Sequence, residues 1–115
     1  MTDEDDDRQR TWRDFRAAVN MTATQLRNWL HDEESKSVGQ KSSGSSEATG
    51  HASGRRIVEI LDAKKSDLSD SDYSHMRKVV GYVNRHLAQR PKGDVSESNW
   101  RYSLMNWGHD PTKKT

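Results

Sequence analysis

The sequence predicts an all-α protein, a compact bundle of about five helices with one long central helix. Apolar residues recur at steps of three and four in several segments, and no stretch of four or more residues alternates as a strand would. The longest helical segment, 69–90, begins with Ser69 followed by Asp72, a helix-start pattern, and ends before Pro91. Its predicted core face holds Tyr73, Met76, Val80, Val83 and Leu87.

Two shorter helices are predicted ahead of the long one. The first spans 8–19, and Asn20 ends it. The second starts after Thr22, because Thr22 and Gln25 match a capping box, and it ends near Asp32. Their predicted core residues are Trp12, Phe15, Val19, Leu26, Trp29 and Leu30.

Two further helices flank the long one. One runs from Ser53 or Gly54 to Lys64, and the other spans 97–107, with Gly108 in the position of a glycine cap. The first of these and the long helix could form a helix-turn-helix pair, although the turn is looser and the second helix longer than that motif expects. All four tryptophans lie on apolar stripes, which favours core positions over a base-stacking platform.

The chain has 115 residues, which is enough for one small domain, predicted at 8–111. An acidic disordered tail, 1–7, is predicted before the domain, and a short disordered tail, 112–115, after it. The Ser/Gly-rich stretch 35–53 is predicted to be a flexible, exposed loop.

Composition excludes several classes of site. The chain has no cysteine, so it can form no disulfide, thiolate metal site or cysteine nucleophile. The histidines are too scattered for a zinc site, and Ser103 lacks a nucleophile elbow, so no catalytic residue, metal or cofactor is predicted. No window is apolar enough to span a membrane, and the acidic start is unlike a secretory leader. We therefore expect a cytoplasmic protein with no membrane partner.

The distribution of charge is more informative than its sum. The net charge is +1, but residues 1–7 carry five acids and no base, so the remainder carries 19 − 13, or +6. From 75 to 92 there are five Lys or Arg residues and no Asp or Glu. A local excess of cations of this kind favours an anionic partner, most plausibly nucleic acid.

The cations on the long helix have a spacing that suits a phosphate backbone. Lys78 and Arg85 lie on the side opposite the apolar stripe, about 10.5 Å apart along the axis. Tyr82 lies between them and is predicted to pack there or contact a phosphate. Gly81, unfavourable inside a helix, predicts close approach of a neighbouring helix or a ligand. The full set of predicted nucleic-acid-binding residues is Lys78, Arg85, Tyr82, Arg55 and Arg56, with Arg77, Arg90 and Lys92 as secondary candidates.

The stretch from Gly50 to Arg56 leaves two interpretations open. Its glycines could let backbone N–H groups converge on an anion at the start of a helix, with Arg55 or Arg56 clamping a phosphate. Alternatively, it is a flexible loop that ends in a Ser or Gly cap. It is neither a Walker loop nor a dinucleotide fingerprint.

Two strings are specific enough to carry a resemblance: His75-Met76-Arg77-Lys78-Val79-Val80-Gly81-Tyr82 and Trp100-Arg101-Tyr102-Ser103-Leu104-Met105-Asn106-Trp107-Gly108-His109-Asp110. Together with Val19-Asn20-Met21-Thr22 and Ser53-Gly54-Arg55-Arg56-Ile57-Val58, they resemble a small prokaryotic family of domains of unknown function, some of whose members carry a DNA-binding label. The resemblance covers 12–111 and implies DNA binding as an expectation. The departures are Ala23, where a proline is expected, and a longer, less acidic Ser/Gly loop.

These observations lead to one main functional hypothesis. The protein is predicted to bind double-stranded DNA mainly through phosphates, with little sequence discrimination, and not to be an enzyme. The first alternative is a helical protein-interaction module that binds an acidic protein partner. The second is an enzyme that acts on a phosphorylated small molecule at the Gly50–Arg56 stretch.

Overall fold

The computed structural model describes residues 3–37 and 49–113, and within these ranges it is all-helical, as predicted. Its six α-helices are α1 (Asp3–Ala18), α2 (Ala23–Leu30), α3 (Glu33–Ser37), α4 (Thr49–Asp62), α5 (Asp70–Leu87) and α6 (Asn99–Asn106), with a 3₁₀ turn at Lys65–Asp67. No helix among the described residues is both long and apolar enough to cross a lipid bilayer.

The first helix begins five residues before its predicted start, which corrects the predicted disordered tail at 1–7. Residues 3–7 form the first turns of α1. Acidic residues are favourable at this end because the helix dipole is positive there. Arg8 then pairs with Asp70 and lies over the ring of Tyr73, which ties the start of α1 to the start of α5. Residues 1 and 2 lie outside the described part of the chain.

The predicted loop at 35–53 is also corrected at both ends. Helix α3 occupies Glu33–Ser37, and the side chain of Ser35 is fully buried. Helix α4 begins at Thr49, four residues before its predicted start at Ser53. Residues 38–48 of the predicted loop lie outside the described residues. The glycines near 50 therefore belong to a helix, and their packing is described with the site below.

The helices pack as two pairs joined by α6. Helix α1 lies along α5, α2 lies along α4, and α6 contacts α2, α3, α4 and α5. Because α4 packs mainly on α2 and α5 on α1, the helix-turn-helix pair considered for α4 and α5 is not formed. One core fills the centre, with Phe15, Leu26, Ile57, Ile60, Met76, Val79, Val83 and Leu104 almost fully buried.

The predicted capping box at Thr22 is present, and the predicted helix start at Ser69 also proves to be a capping box. The backbone N–H of Gln25 donates to Thr22 Oγ1 and that of Thr22 donates to Gln25 Oε1, at 3.1 and 3.0 Å. Ser69 and Asp72 make the same reciprocal pair at the start of α5. Local sequence therefore sets where α2 and α5 begin.

The buried stripe of α5 differs from the prediction at three positions. Val79 is fully buried, whereas the predicted Val80 is half-buried, as is Leu87. The stripe is turned because α5 packs against α1 on one side and α6 on the other. All four tryptophans pack against the core: Trp100 and Trp107 are buried, and Trp12 and Trp29 are partly buried. Their predicted core positions are confirmed.

Gly108 ends α6 as predicted. Its φ of +83° is left-handed, a conformation that glycine adopts at little cost. The N–H groups of Gly108 and His109 donate to the carbonyls of Met105 and Leu104, which completes a Schellman motif. The carbonyl of Gly108 in turn accepts from the N–H of Met21, so the end of α6 is joined to the α1–α2 turn.

The residues after α6 continue this connection. The side chain of Asn20 and the backbone of Asp110 bond each other in both directions, at 2.9 and 2.8 Å. Arg101 binds both carboxylate oxygens of Asp110 at 3.1 Å. Lys113 Nζ donates to the carbonyl of Asn20 at 2.6 Å. Residue 113 is thus held to the domain, which corrects the predicted tail at 112–115; residues 114 and 115 lie outside the described chain.

Candidate nucleic-acid interface

The solvent side of α5 carries the two main predicted anchors. Lys78 and Arg85 are both exposed, and neither forms an ion pair with any carboxylate in the described ranges. We call this side the outer face of α5; it consists of Ser74, Arg77, Lys78, Gly81 and Arg85. Between Asp72 and Asp94 the sequence has no acidic residue, so α5 itself supplies no neutralising charge there.

Arg77 lies at the edge of the outer face, on the side of α1. Its Nη1 is 3.4 Å from the hydroxyl oxygen of Thr11, and it lines a groove of about 630 Å³ between α1 and α5. The charged residues of the groove are Arg8, Arg10, Arg77, Asp7, Asp14 and Asp70. Because the three cations face three carboxylates, the positive potential near Arg77 is weaker than near Lys78 and Arg85.

Arg90 and Lys92 follow the end of α5. Both are exposed, and the guanidinium of Arg90 lies over the ring of Trp100, 5.4 Å from its centroid. Such cation–π stacking restricts the side chain while leaving its charge available. These two residues extend the row of cations beyond the last turn of α5.

The two arginines of α4 differ in exposure, because Arg56 is partly buried. Arg55 is exposed. Arg56 donates to Ser71 at 2.8 Å and to Asp72 at 3.1 Å, across the gap between α4 and α5. The paired guanidinium of Arg56 is therefore largely neutralised by Asp72, which argues against its predicted role as a second phosphate contact.

The Gly50–Arg56 stretch lies within α4, whereas both interpretations of the sequence place a turn or loop there, ahead of the helix. Its glycines make room for neighbours instead. A Cβ on Gly54 would lie 2.5 Å from the carbonyl oxygen of Asn106 and 2.7 Å from Leu30, and one on Gly50 would lie 3.1 Å from Nε1 of Trp107. The glycines bring α4 into close contact with α6, and the alternative enzyme hypothesis loses the turn on which it rested.

Tyr82 does not lie between Lys78 and Arg85 as predicted. It is half-buried in a row of near-parallel rings along the α5–α6 seam, which we call the aromatic ladder. The ring centroids of Trp107 and Tyr82 are 4.2 Å apart, and those of Tyr82 and His86 are 5.0 Å apart, with planes within 18°. His75 stacks beyond Trp107, and Trp100 beyond His86. Because Tyr82 lies between two rings, it has no open face for a base.

Burial raises the pKa of Tyr82 above its ordinary value, and a hydrogen bond between its hydroxyl and Ser103 acts in the opposite direction. The tyrosine thus contributes to the α5–α6 contact. Its role in a phosphate contact, as predicted from the sequence, has no support from its position in the ladder.

The histidines of the ladder are held neutral. His75 Nε2 lies 2.9 Å from the hydroxyl of Ser53, and burial lowers the pKa of His75, helped by the positive charges of Arg56 and Lys78. Burial also lowers the pKa of His86, whose Nε2 is buried with no hydrogen-bond partner in the described part of the chain. Protonating either ring would place a cation inside the seam.

The two lowered pKa values predict that the fold begins to lose stability at pH values well above those at which carboxylates titrate. The unfolded chain binds protons at the ordinary histidine pKa, about 6.5, before the folded rings do. The stability from keeping these rings neutral is therefore complete above that pH and is lost as the pH falls through the lower, folded pKa. We expect the melting temperature to fall between about pH 7.5 and 5.5.

Substitutions of His75 and His86 test whether the histidines of the aromatic ladder cause this loss of stability at low pH. His86→Phe keeps a stacking ring without a titrating nitrogen, and His75→Gln keeps a partner for Ser53, so each is expected to reduce the fall in melting temperature. The matched control is His31→Gln, because His31 is exposed. If all three variants lose as much stability as the wild type, the histidines of the ladder are not responsible.

Sequence reasoning missed two features of this region. The spacing of His75, Tyr82 and His86 by seven and four residues, with Trp100 and Trp107 seven apart, is a signal that could have revealed the ladder. The buried side chain of Asn106 accepts from Trp29 Nε1 and Ser35 Oγ and donates to the carbonyl of Ser35. The sequence around Asn106 gives no sign that its side chain is buried, since a polar residue near the end of a helix is usually exposed.

The family comparison agrees with the resemblance carried by the two specific strings. A family model described as a protein of unknown function, DUF3140, matches residues 14–105, which include every helix from α2 to α5, the end of α1 and most of α6. No curated protein and no solved structure matches the chain. The chain belongs to the DUF3140 family of proteins of unknown function.

Proposed function

We propose that this protein binds double-stranded DNA through its phosphate backbone, with little sequence discrimination, by the outer face of α5. The observation that carries the proposal is the pair Lys78 and Arg85, exposed on one side of a rigid helix and free of ion pairs with the described carboxylates. Cations that form no internal pair release counterions when they meet phosphates, which is the main source of affinity in backbone binding.

The rigidity of α5 supports recognition of a regular backbone. The helix starts at a capping box and is buried along Tyr73, Met76, Val79 and Val83. Two turns separate Lys78 from Arg85, so their Cα atoms lie about 10.5 Å apart along the axis and their side chains can reach separate phosphates. Two cations on one side of a rigid helix suit a duplex, whose phosphates are regularly spaced.

The aromatic ladder favours a duplex over a single strand. Proteins that bind single strands without sequence preference stack bases on exposed aromatic faces. Here Tyr82 lies between Trp107 and His86, and Arg90 lies over Trp100. The rings beside the outer face are therefore already stacked within the protein, which leaves phosphates rather than bases as the targets.

Arg90 and Lys92 provide the second contact region in this proposal. They follow the last turn of α5 in the chain, and both are exposed. Arg77 remains a secondary contact, and Arg55 remains a candidate contact on α4. Arg56 is assigned a structural role, since it bridges α4 to Asp72.

Fluorescence anisotropy with a labelled mixed-sequence duplex and a matched single strand tests the proposal. We expect binding to the duplex that weakens steeply between about 50 and 200 mM salt. The double variant Lys78→Glu/Arg85→Glu is expected to weaken this binding about a hundredfold and to lower the salt slope by nearly two, one for each lost phosphate contact.

The control is a second double reversal, Arg13→Glu/Lys64→Glu, which changes the net charge equally at exposed positions outside α5. It separates the outer face from a general loss of positive charge. Equal weakening by both double variants would contradict a defined site on α5. Absence of duplex binding at low salt would overturn the DNA proposal and leave an acidic protein partner as the ligand to seek.

A further inference from the structure

The described glycines have structural explanations, with Gly81 as the exception. Gly50 and Gly54 lie against α6, where a Cβ would meet Trp107 or Asn106. Gly93 and Gly108 have φ of +87° and +83°, in the left-handed region that other residues rarely adopt. Gly81 is helical, and within the described ranges no other helix comes within 4 Å of a Cβ built on it. Of the two explanations that the sequence offers for Gly81, a neighbouring helix and a ligand, the first is not observed among these residues.

Gly81 lies at the centre of the outer face. It follows Lys78 by three residues and precedes Arg85 by four, so on the helix surface it is adjacent to both. The only atom within 4 Å of a Cβ built on it is Nη1 of Arg85, at 3.2 Å, among the residues described. The guanidinium thus lies beside a bare patch of helix backbone.

A glycine in this position is unfavourable for the fold. It lowers helix stability relative to alanine, because it has more conformational freedom to lose and exposes backbone to water. Apart from the guanidinium of Arg85, no side chain in the described part of the chain packs against this position to compensate for that loss. The absence of a side chain does, however, create a shallow notch between two cations, in which another molecule could come nearer to the helix axis than anywhere else on the outer face.

We propose that Gly81 and the guanidinium of Arg85 form a notch that receives one phosphate oxygen of the DNA backbone. This inference rests on the proposed function and specifies its central contact. The oxygen accepts a charge-assisted hydrogen bond from Arg85 and touches the Cα of Gly81. Close approach there also shortens the distance that Lys78 must reach to the neighbouring phosphate. A side chain at position 81 would hold the backbone away.

The test uses Gly81→Ala and Gly81→Gln in the full chain, with the same duplex and salt series. We expect both variants to be folded, and Gly81→Ala to melt at a higher temperature than the wild type, because alanine is the better helix former. Gly81→Ala should weaken duplex binding several-fold. Gly81→Gln should weaken it about tenfold and lower the salt slope by about one, the loss of a single phosphate contact.

Asn84→Ala is the matched control. Asn84 is exposed in the same helix but lines a groove beside α1, and its replacement by alanine also raises helix propensity. It should leave duplex binding unchanged. If the wild type binds DNA and loses binding on Lys78→Glu/Arg85→Glu, while both Gly81 variants bind as well as the wild type, the notch is refuted and the proposed function stands. If the wild type itself does not bind, both fail.

Discussion

Asn106→Ala is expected to lower the free energy of unfolding by about 3 to 5 kcal/mol, the largest effect of any single substitution considered for this protein. The side chain of Asn106 is 1% exposed and joins three helices. Its Oδ1 accepts from Trp29 Nε1 at 2.8 Å and from the hydroxyl of Ser35, and its Nδ2 donates to the carbonyl of Ser35 at 3.1 Å.

The size of this effect follows from what the substitution leaves behind. Ser35 is fully buried, so its hydroxyl and carbonyl would lose their partner without gaining water. Each unsatisfied buried group costs about 1 to 3 kcal/mol, and the space left by the amide adds a cavity. Since small domains are stable by only about 5 to 15 kcal/mol, the variant would be close to unfolding.

Urea unfolding followed by tryptophan fluorescence measures this loss. Asn99→Ala is the control, because Asn99 is an exposed asparagine in the first turn of the same helix. It should change stability by less than about 0.5 kcal/mol. A similar midpoint for the two variants would mean that the buried amide does not hold α2, α3 and α6 together.

Gly54→Ala should destabilise the fold by about 3 kcal/mol, although alanine is the better helix former. A Cβ at position 54 would lie 2.5 Å from the carbonyl oxygen of Asn106 and 2.7 Å from a methyl carbon of Leu30. The first contact is with backbone, which cannot rotate away as a flexible side chain can. Helices α4 and α6 would have to separate, and this outweighs the gain of about 1 kcal/mol in helix propensity.

Thermal unfolding of Gly54→Ala beside Gly81→Ala separates these two terms. Both variants make the same substitution inside a helix, but only the first introduces a clash with a neighbouring backbone. The melting temperature should fall by about 10 °C in the first and rise by a few degrees in the second. If both rise, α4 and α6 do not approach as closely as the structure has them.

The packing of Gly54 and Asn106 also shows how to interpret substitutions near the candidate interface. Gly54, Arg56 and Asn106 lie in strings that resemble the family, yet their contacts hold helices together. A loss of DNA binding on changing one of them would report unfolding. Lys78, Arg85 and Gly81 are better probes of DNA binding. The side chains of Lys78 and Arg85 contribute little to the packing of the core, and Gly81 has no side chain to contribute.

Helix starts could be predicted wherever the determining residues are near in sequence. Thr22 with Gln25 forms the expected capping box, Ser69 with Asp72 starts α5 as expected, and Gly108 ends α6 as expected. The start of α1 is not predicted in this way. A run of five acids is typical of an exposed tail, and the contact that ties this end of α1 to the domain joins Arg8 to Asp70, 62 residues away.

In the candidate interface, too, some features could be predicted from the sequence and others could not. The exposure of Lys78 and Arg85 follows from the helical period alone. The position of Tyr82 does not, because it lies at the margin of the apolar stripe, where the placement of α6 decides whether the ring faces solvent or Trp107. Likewise, glycines at 50 and 54 suit an anion-binding turn or a close helix contact, and only the position of α6 distinguishes the two.

The sequence by itself determined the helical class, the capping signals that start α2 and α5, and a central helix with an apolar stripe and cations opposite it. These features depend on residues within about one turn of each other, whose interactions are the same in any tertiary context. Only the tertiary structure decided which polar residues are buried and which glycines are packed. Asn106 meets Ser35 across 71 residues of chain, and no local pattern encodes a contact of that separation.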